Sequence, residues 1–372
     1  MRATFITLLL LIAASAAAQS RQALEGRYFR IDTTAIEGNV DINIDVSTYL
    51  RNNEYFSDYV EGYTLPGYTL QPTIAYFPTK NTSIEAGLRL MQYGGDDDKA
   101  HVFGVVRAQV LFTPDLRLTL GVLDGYASHD LPESIIDNEK NLNGRPETGV
   151  QLIYNNKKNI YAEAWIDWQH FIYHGDTVPE RLMGGVGINY ALLTDRNRFY
   201  LEIPIRLTAN HVGGQINDYE EPMQSLSNGV AGLRLSRWSD GAVNEWQLDV
   251  RQLFFHVMAG KELYPATNGT AFNIEYYLRT KYFDATLGYF GGHDFYATNG
   301  NPTFMNISNY KNYYQKHRSI ATAELNFNYQ PSKAFRLYVG GKAYYDTDAS
   351  QCDYYYGLGI IYNGRKNIYR RR

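Results

Sequence analysis

Val40-Asp41-Ile42-Asn43-Ile44-Asp45-Val46 alternates apolar and polar residues without a break. Successive side chains of a β-strand point to opposite faces, so this segment is oily on one side and wet on the other. The stretch Phe199-Tyr200-Leu201-Glu202-Ile203-Pro204-Ile205-Arg206-Leu207 keeps the same period, and no helical spacing interrupts it. Working outward, the pattern predicts about sixteen strands. They lie near 39–49, 67–77, 83–93, 102–113, 116–124, 148–155, 159–170, 181–193, 199–211, 228–237, 243–256, 270–279, 282–291, 319–330, 335–346 and 352–362. Most approach the ~9–11 residues that a tilted membrane strand needs.

The connections carry independent information. Pro78–Asn81, Thr113–Asp115, Asn155–Lys158, Thr194–Asn197, Ser239–Gly241 and Gln330–Lys333 are tight turns rich in turn-forming residues. Long polar loops alternate with them, the largest at 50–66, 125–147, 212–227 and 292–318. Outer-membrane barrels place short turns in the periplasm and long loops outside, whereas a soluble sandwich has no reason to alternate them. The apolar row is also sorted by depth. Tyr76, Phe112, Tyr154, Tyr190, Phe199, Phe283, Tyr329, Phe335 and Tyr362 lie near the short turns, and Tyr68, Trp168, Tyr289, Tyr345 and Tyr354 lie at the other end. Aliphatic and small residues fill the interval, as amphipathic rings at both edges of a bilayer require. Pro72 and Pro204 each remove a ladder donor and predict local irregularity.

Arg2, the apolar run Phe5–Ile12 and Ala16-Ala17-Ala18 read as a secretory signal peptide over residues 1–18, cleaved to leave Gln19. A polar periplasmic lead-in follows at 19–38, then the barrel at 39–362 and a basic tail at 363–372. Mean hydropathy is −0.39, which a barrel tolerates because only alternate strand residues meet lipid. Tyr alone counts 33, consistent with interface belts. The net charge of −4 is too small to argue for nucleic acid. Cys352 is the sole cysteine, which excludes an intramolecular disulfide. No metal-ligand spacing or cofactor motif is present. Tyr154–Tyr161 and Tyr362–Tyr369 echo one another, which reads as chance similarity of two turns.

This constellation resembles the broad porin-like class of Gram-negative outer-membrane barrels. The resemblance rests on architecture across nearly the whole mature chain and picks out no specific family. It implies outer-membrane lipid, the barrel-assembly machinery and small polar solutes as partners, with a homo-oligomer in keeping with trimers of that class. The class usually ends its last strand in an aromatic, a role open to Tyr362 or Tyr369, although arginines trail behind both. In general porins the third loop folds inward and narrows the pore. The corresponding segment here, Tyr126–Glu147, carries Asp130, Glu133, Asp137 and Glu139.

The wet row names the candidate pore lining. Arg89, Arg107, Arg117, Glu163, Asp167, Glu202, Arg206, Asp249, Arg251, Glu275, Arg279, Glu324, Arg336 and Lys342 face inward, with Asp41, Asp45, Glu85 and Asp284 beside them. Mixed charge predicts a weakly selective lumen; cross-strand pairing of ordinary wet-face residues explains any single member equally well. Ser128-His129-Asp130 holds the residue types of a nucleophilic triad, but neighbours on one loop rarely aim at one another. His174 with Asp176 and His293 with Asp294 read as polar loop content. The expectation is therefore a passive diffusion channel without enzymatic activity. A barrel component of an export or polysaccharide assembly and a rim-located hydrolase are the alternatives.

Overall fold

A computed structural model describes residues 37–96, 100–195, 198–214, 222–308 and 310–370. The expected signal peptide and most of the lead-in lie outside these residues, as do parts of the 194–197 turn and the 212–227 loop. The strands are β1 (Val40–Glu54), β2 (Tyr63–Thr79), β3 (Thr82–Tyr93), β4 (His101–Thr113), β5 (Leu116–Val122), β6 (Thr148–Asn155), β7 (Ile160–His170), β8 (Arg181–Asp195) and β9 (Phe199–Val212). They continue as β10 (Gln224–Trp238), β11 (Val243–Ala259), β12 (Asn268–Thr280), β13 (Phe283–His293), β14 (Ile307–Ser308), β15 (Tyr313–Tyr314), β16 (His317–Tyr329), β17 (Phe335–Asp346) and β18 (Gln351–Tyr369).

Each long strand pairs antiparallel with its sequence neighbour, and β1 pairs with both β2 and β18. Sixteen strands thereby close a barrel, while β14 and β15 form a separate hairpin inside a loop. Closure is obligatory because lipid offers no partner to an edge N–H or C=O. All sixteen predicted strands are present. Several run further outward than their alternation suggests: β1 continues to Glu54 and β2 begins at Tyr63, so the 50–66 loop shrinks.

The C-terminal tail is corrected. β18 continues to Tyr369, whose register partner is Val40, so 363–369 is strand. Its residues complete the ladder of β1, which otherwise presents an open edge to the bilayer.

The outer surface matches the predicted depth sorting. Leu88, Val106, Ile166 and Leu325 are exposed to the surroundings of the barrel, as are Tyr76, Phe112, Tyr154 and Tyr362 at one edge and Tyr68, Trp168, Tyr289 and Tyr345 at the other. The two prolines leave the expected marks. The β2–β3 register lapses across Gln71–Pro72, and the β9–β10 register lapses across Ile203–Pro204. A Cβ on Gly87 would meet the Pro72 carbonyl oxygen at 2.1 Å, so glycine lets the irregular backbone approach β3.

Inside, the lumen divides by depth. Toward the periplasm the wall is polar, with Asn43, Ser83, Glu85, Gln109, Thr119 and Asp284 buried. Toward the outside, two long connections fold in. Leu123, Tyr126, Ile135 and Ile136 from the third loop join Phe295, Tyr296, Phe304, Met305 and Ile307 from the loop after β13. Together they pack against inward residues of the wall such as Trp165, Met183, Leu253, Phe255 and Phe290. The outer half of the lumen is therefore occupied by infolded loops with an apolar cluster at their contact with the wall.

Candidate functional site: the loop-filled lumen and the cavity at its mouth

The third loop runs between β5 and β6, through a helical turn at Lys140–Asn143. It is held by the charges predicted to line a pore. Asp130 adopts a left-handed backbone, φ 49°, which turns its carboxylate toward three guanidinium groups. Arg234 donates to both its oxygens at 2.6 and 3.0 Å, and Arg206 and Arg251 donate at 3.1 and 3.2 Å. Asp249 and Glu202 complete the cluster, at 2.8 and 2.7 Å from Arg234. Such buried groups are favourable only while every charge keeps its partners.

His129, fully buried, has both ring nitrogens engaged: Nδ1 lies 2.9 Å from Glu163 and Nε2 lies 3.2 Å from Glu147. Its ring stacks on Trp165 at a centroid distance of 3.9 Å. Burial opposes the charged imidazole, but Glu163 and Glu147 outweigh it and push the pKa up to about 10. His129 is thus a fixed cation in a carboxylate clamp. The triad types in Ser128-His129-Asp130 are assembled for anchoring, not for attack.

The remaining predicted residues are placed as follows. Arg107 and Arg117 both bind Asp124 at the start of the loop. Asp167 takes Arg145 at 2.7 Å. Lys342 donates to Glu133 at 2.6 Å, an acceptor also reached by Tyr344 at 2.7 Å. Glu275, Glu324 and Lys342 border a small chamber of about 120 Å³ beneath the loop. Arg279 pairs with Glu245, Arg89 is buried in the wall beside Ser47 and Thr69, and Arg336 is half-buried near the periplasmic end of β17. Glu139 is held by Arg51 at 3.3 Å and by Asn53 at 2.8 Å. Its neighbour Asp137 is pushed up to about 7 by burial and by Glu139.

Asp137 and Glu139 line a cavity of about 640 Å³ at the outer mouth. Tyr126, Lys140 and Arg145 from the third loop line it together with His170, Val178 and Arg181. His170 and Arg181 end β7 and begin β8, where they are register partners beside an irregularity that follows Trp168. The adjoining rim is apolar and exposed: Trp168, Phe171, Tyr173 and Val178. Trp168 is fixed by a 2.8 Å bond from its indole nitrogen to Glu180, and Phe171 packs edge-on against Tyr173. Acid–base groups, cations and an exposed apolar edge thus meet at one place.

Sequence reasoning missed several of these residues. The alternation that puts Arg206 and Arg251 inside also puts Arg234 inside, so that signal was present. Arg145 and Glu147 lie on a loop without period, and His170 with Arg181 lie at strand ends where alternation fails; nothing local marks them. His174 and Asp176 form no pair: Asp176 accepts from the Tyr173 backbone N–H at 2.7 Å and shapes the loop.

The fold has solved counterparts. OprD of Pseudomonas aeruginosa superposes with a TM-score of 0.51 at 12% identity, covering 91% of this chain and 97% of its own. OprB of Pseudomonas putida gives 0.53 at 10% identity, with 88% and 94% covered. A loop-deletion form of OmpT from Vibrio cholerae gives 0.53 at 12% identity, with 88% and 99% covered. These likenesses establish an outer-membrane barrel fold and nothing finer. A comparison with curated proteins finds no match. A family model described as lipid A 3'-O-deacylase-type matches residues 31–371. That is an enzyme family, and it overturns the expectation of a protein without enzymatic activity. The inner-row charges misled because they are visible in the alternation, whereas the mouth cavity is not. Over nearly its whole length, the chain belongs to the lipid A 3'-O-deacylase-type family.

Proposed function

We propose that this protein is an outer-membrane esterase that removes an ester-linked acyl chain from lipid A at the outer rim of the barrel. The observation carrying the reading is the mouth cavity, in which His170 and three cationic side chains adjoin exposed aromatic residues at membrane level. A substrate lying in the outer leaflet would keep its acyl chains against Trp168, Phe171 and Val178 while its polar head enters the cavity. Lys140 and Arg145 suit phosphate groups of such a head.

His170 is assigned as general base. It accepts a proton from water as the water oxygen bonds to the ester carbonyl carbon, and Arg181 stabilises the oxyanion that forms. The bond from that carbon to the sugar oxygen then breaks. The imidazolium returns its proton to the departing oxygen, leaving a fatty acid and a free sugar hydroxyl. No nucleophilic serine is needed. The filled outer lumen supports this rim chemistry over passive diffusion through the barrel.

The test is purified protein in mixed micelles with lipid A, with products followed by mass spectrometry. Loss of one acyl chain, abolished in His170→Ala with the barrel still folded, is the expected result. If the wild type releases no fatty acid, the esterase reading fails; if His170→Ala retains full turnover, this site assignment fails. Planar-bilayer recordings complement it: stable ohmic conductance would revive the channel.

A further inference from the structure

The outer ends of β13 and β16 bring two histidines together on an arc of the wall away from the mouth cavity. His293 and His317 are directly opposed register partners. Their rings lie 4.5 Å apart between centroids, with planes inclined by 41°. Both are exposed, and His293 shares the outward face of Tyr289, just beyond the aromatic belt. Behind His293, Asp294 Oδ2 lies 3.2 Å from Nε2. Asp294 has a left-handed backbone, φ 54°. Its Oδ1 accepts from the Tyr314 hydroxyl, and its backbone N–H donates to the Lys316 carbonyl at 3.0 Å.

We propose that His293 and His317 bind one divalent transition-metal ion such as Zn2+ or Cu2+. Opposed residues on antiparallel strands hold their Cβ atoms ~4.5–5.5 Å apart, a spacing from which two imidazoles can reach one ion. The Asp294 carboxylate lies against Nε2 of His293, which assigns the ligand role to Nδ1. A carboxylate that orients a histidine in this way is the usual partner behind a metal ligand, and Tyr314 orients the carboxylate in turn. Imidazole donors favour zinc, copper or nickel over magnesium or calcium, which take oxygen ligands. Among the described residues, no group of three or more His, Cys, Asp or Glu could hold a metal. The protein therefore supplies two ligands and water fills the other positions.

The experiment titrates tag-free, folded protein in detergent micelles with ZnCl2 by calorimetry, and records Cu2+ electron paramagnetic resonance for nitrogen coupling. One equivalent is expected, with coupling to two imidazole nitrogens. His293→Ala and His317→Ala should each abolish it, and Asp294→Asn should weaken affinity by about 10-fold or more. His256→Ala, on a different strand, should bind as the wild type does. Absence of a stoichiometric equivalent in the wild type overturns the proposal, and so does unchanged binding in both single-histidine variants. Metal binding is read independently of acyl release, so failure of either proposal leaves the other intact.

Discussion

The third loop and the β7–β8 loop leave the same end of the barrel and use similar residues, yet they end in opposite surroundings. In the third loop, His129 is fully buried between Glu147 and Glu163, and Asp130 sits among three arginines. Around the β7–β8 loop, His170 meets a cavity of about 640 Å³ and the aromatic side chains are exposed at the rim. A histidine held charged between two carboxylates cannot serve as a base near neutral pH, whereas one facing an open cavity can. Burial, not residue type, separates an anchor from a candidate catalyst.

Replacing His170 should break this comparison most visibly. His170→Ala is expected to lower acyl release by about 10²–10⁴-fold, the usual worth of a general base, with an unchanged melting temperature. The reverse split, a lower melting temperature with normal turnover, would make His170 an anchor too. Arg234→Met tests the buried side. It leaves Asp130, Glu202 and Asp249 short of their shared cation, so barrel stability should fall by about 3–5 kcal/mol, read by thermal unfolding in detergent. If stability is unchanged, the arginine cluster does not hold the loop.

His129→Asn should cost about 1–3 kcal/mol, because two buried carboxylates lose a charged partner. Its pH signature sharpens the point. The folded-state pKa is raised to about 10 from an ordinary value near 6.5. The stabilisation is therefore complete below about 6.5 and is lost as pH rises toward 10. Melting curves of wild type and variant should converge across that window; parallel curves would contradict the clamp. A second pH signature belongs to Asp137, raised to about 7 by burial and Glu139. A raised carboxyl pKa penalises the folded state once the unfolded chain ionises, so its contribution worsens from about pH 4 to pH 7. Asp137→Asn should remove that slope, measured as melting temperature against pH.

The wall was legible because each strand reports its own environment. Val40–Val46 reads directly as one face on lipid and one on the lumen, and Tyr76 and Tyr154 mark the membrane edge. The inward direction of Arg206, Asp249 and Arg251 was equally readable. Their partners were not, since Asp130 reaches Arg251 across 121 residues of chain and comes from a loop without period. The mouth cavity needs two loops and two strand ends placed together, so no single stretch could announce it.

Sequence alone thus determined the barrel, its orientation and its oily and wet faces, because period two and aromatic sorting are local responses to a bilayer. Tertiary structure decided what fills the interior and what each end of the chain becomes. Tyr154–Tyr161 and Tyr362–Tyr369 make the case at matched sequence. In the first, the Asn156 side chain accepts from the backbone N–H groups of Lys158, Asn159 and Ile160 and forms a turn. The second is extended, because β1 offers it a ladder and an unpaired edge in lipid is forbidden.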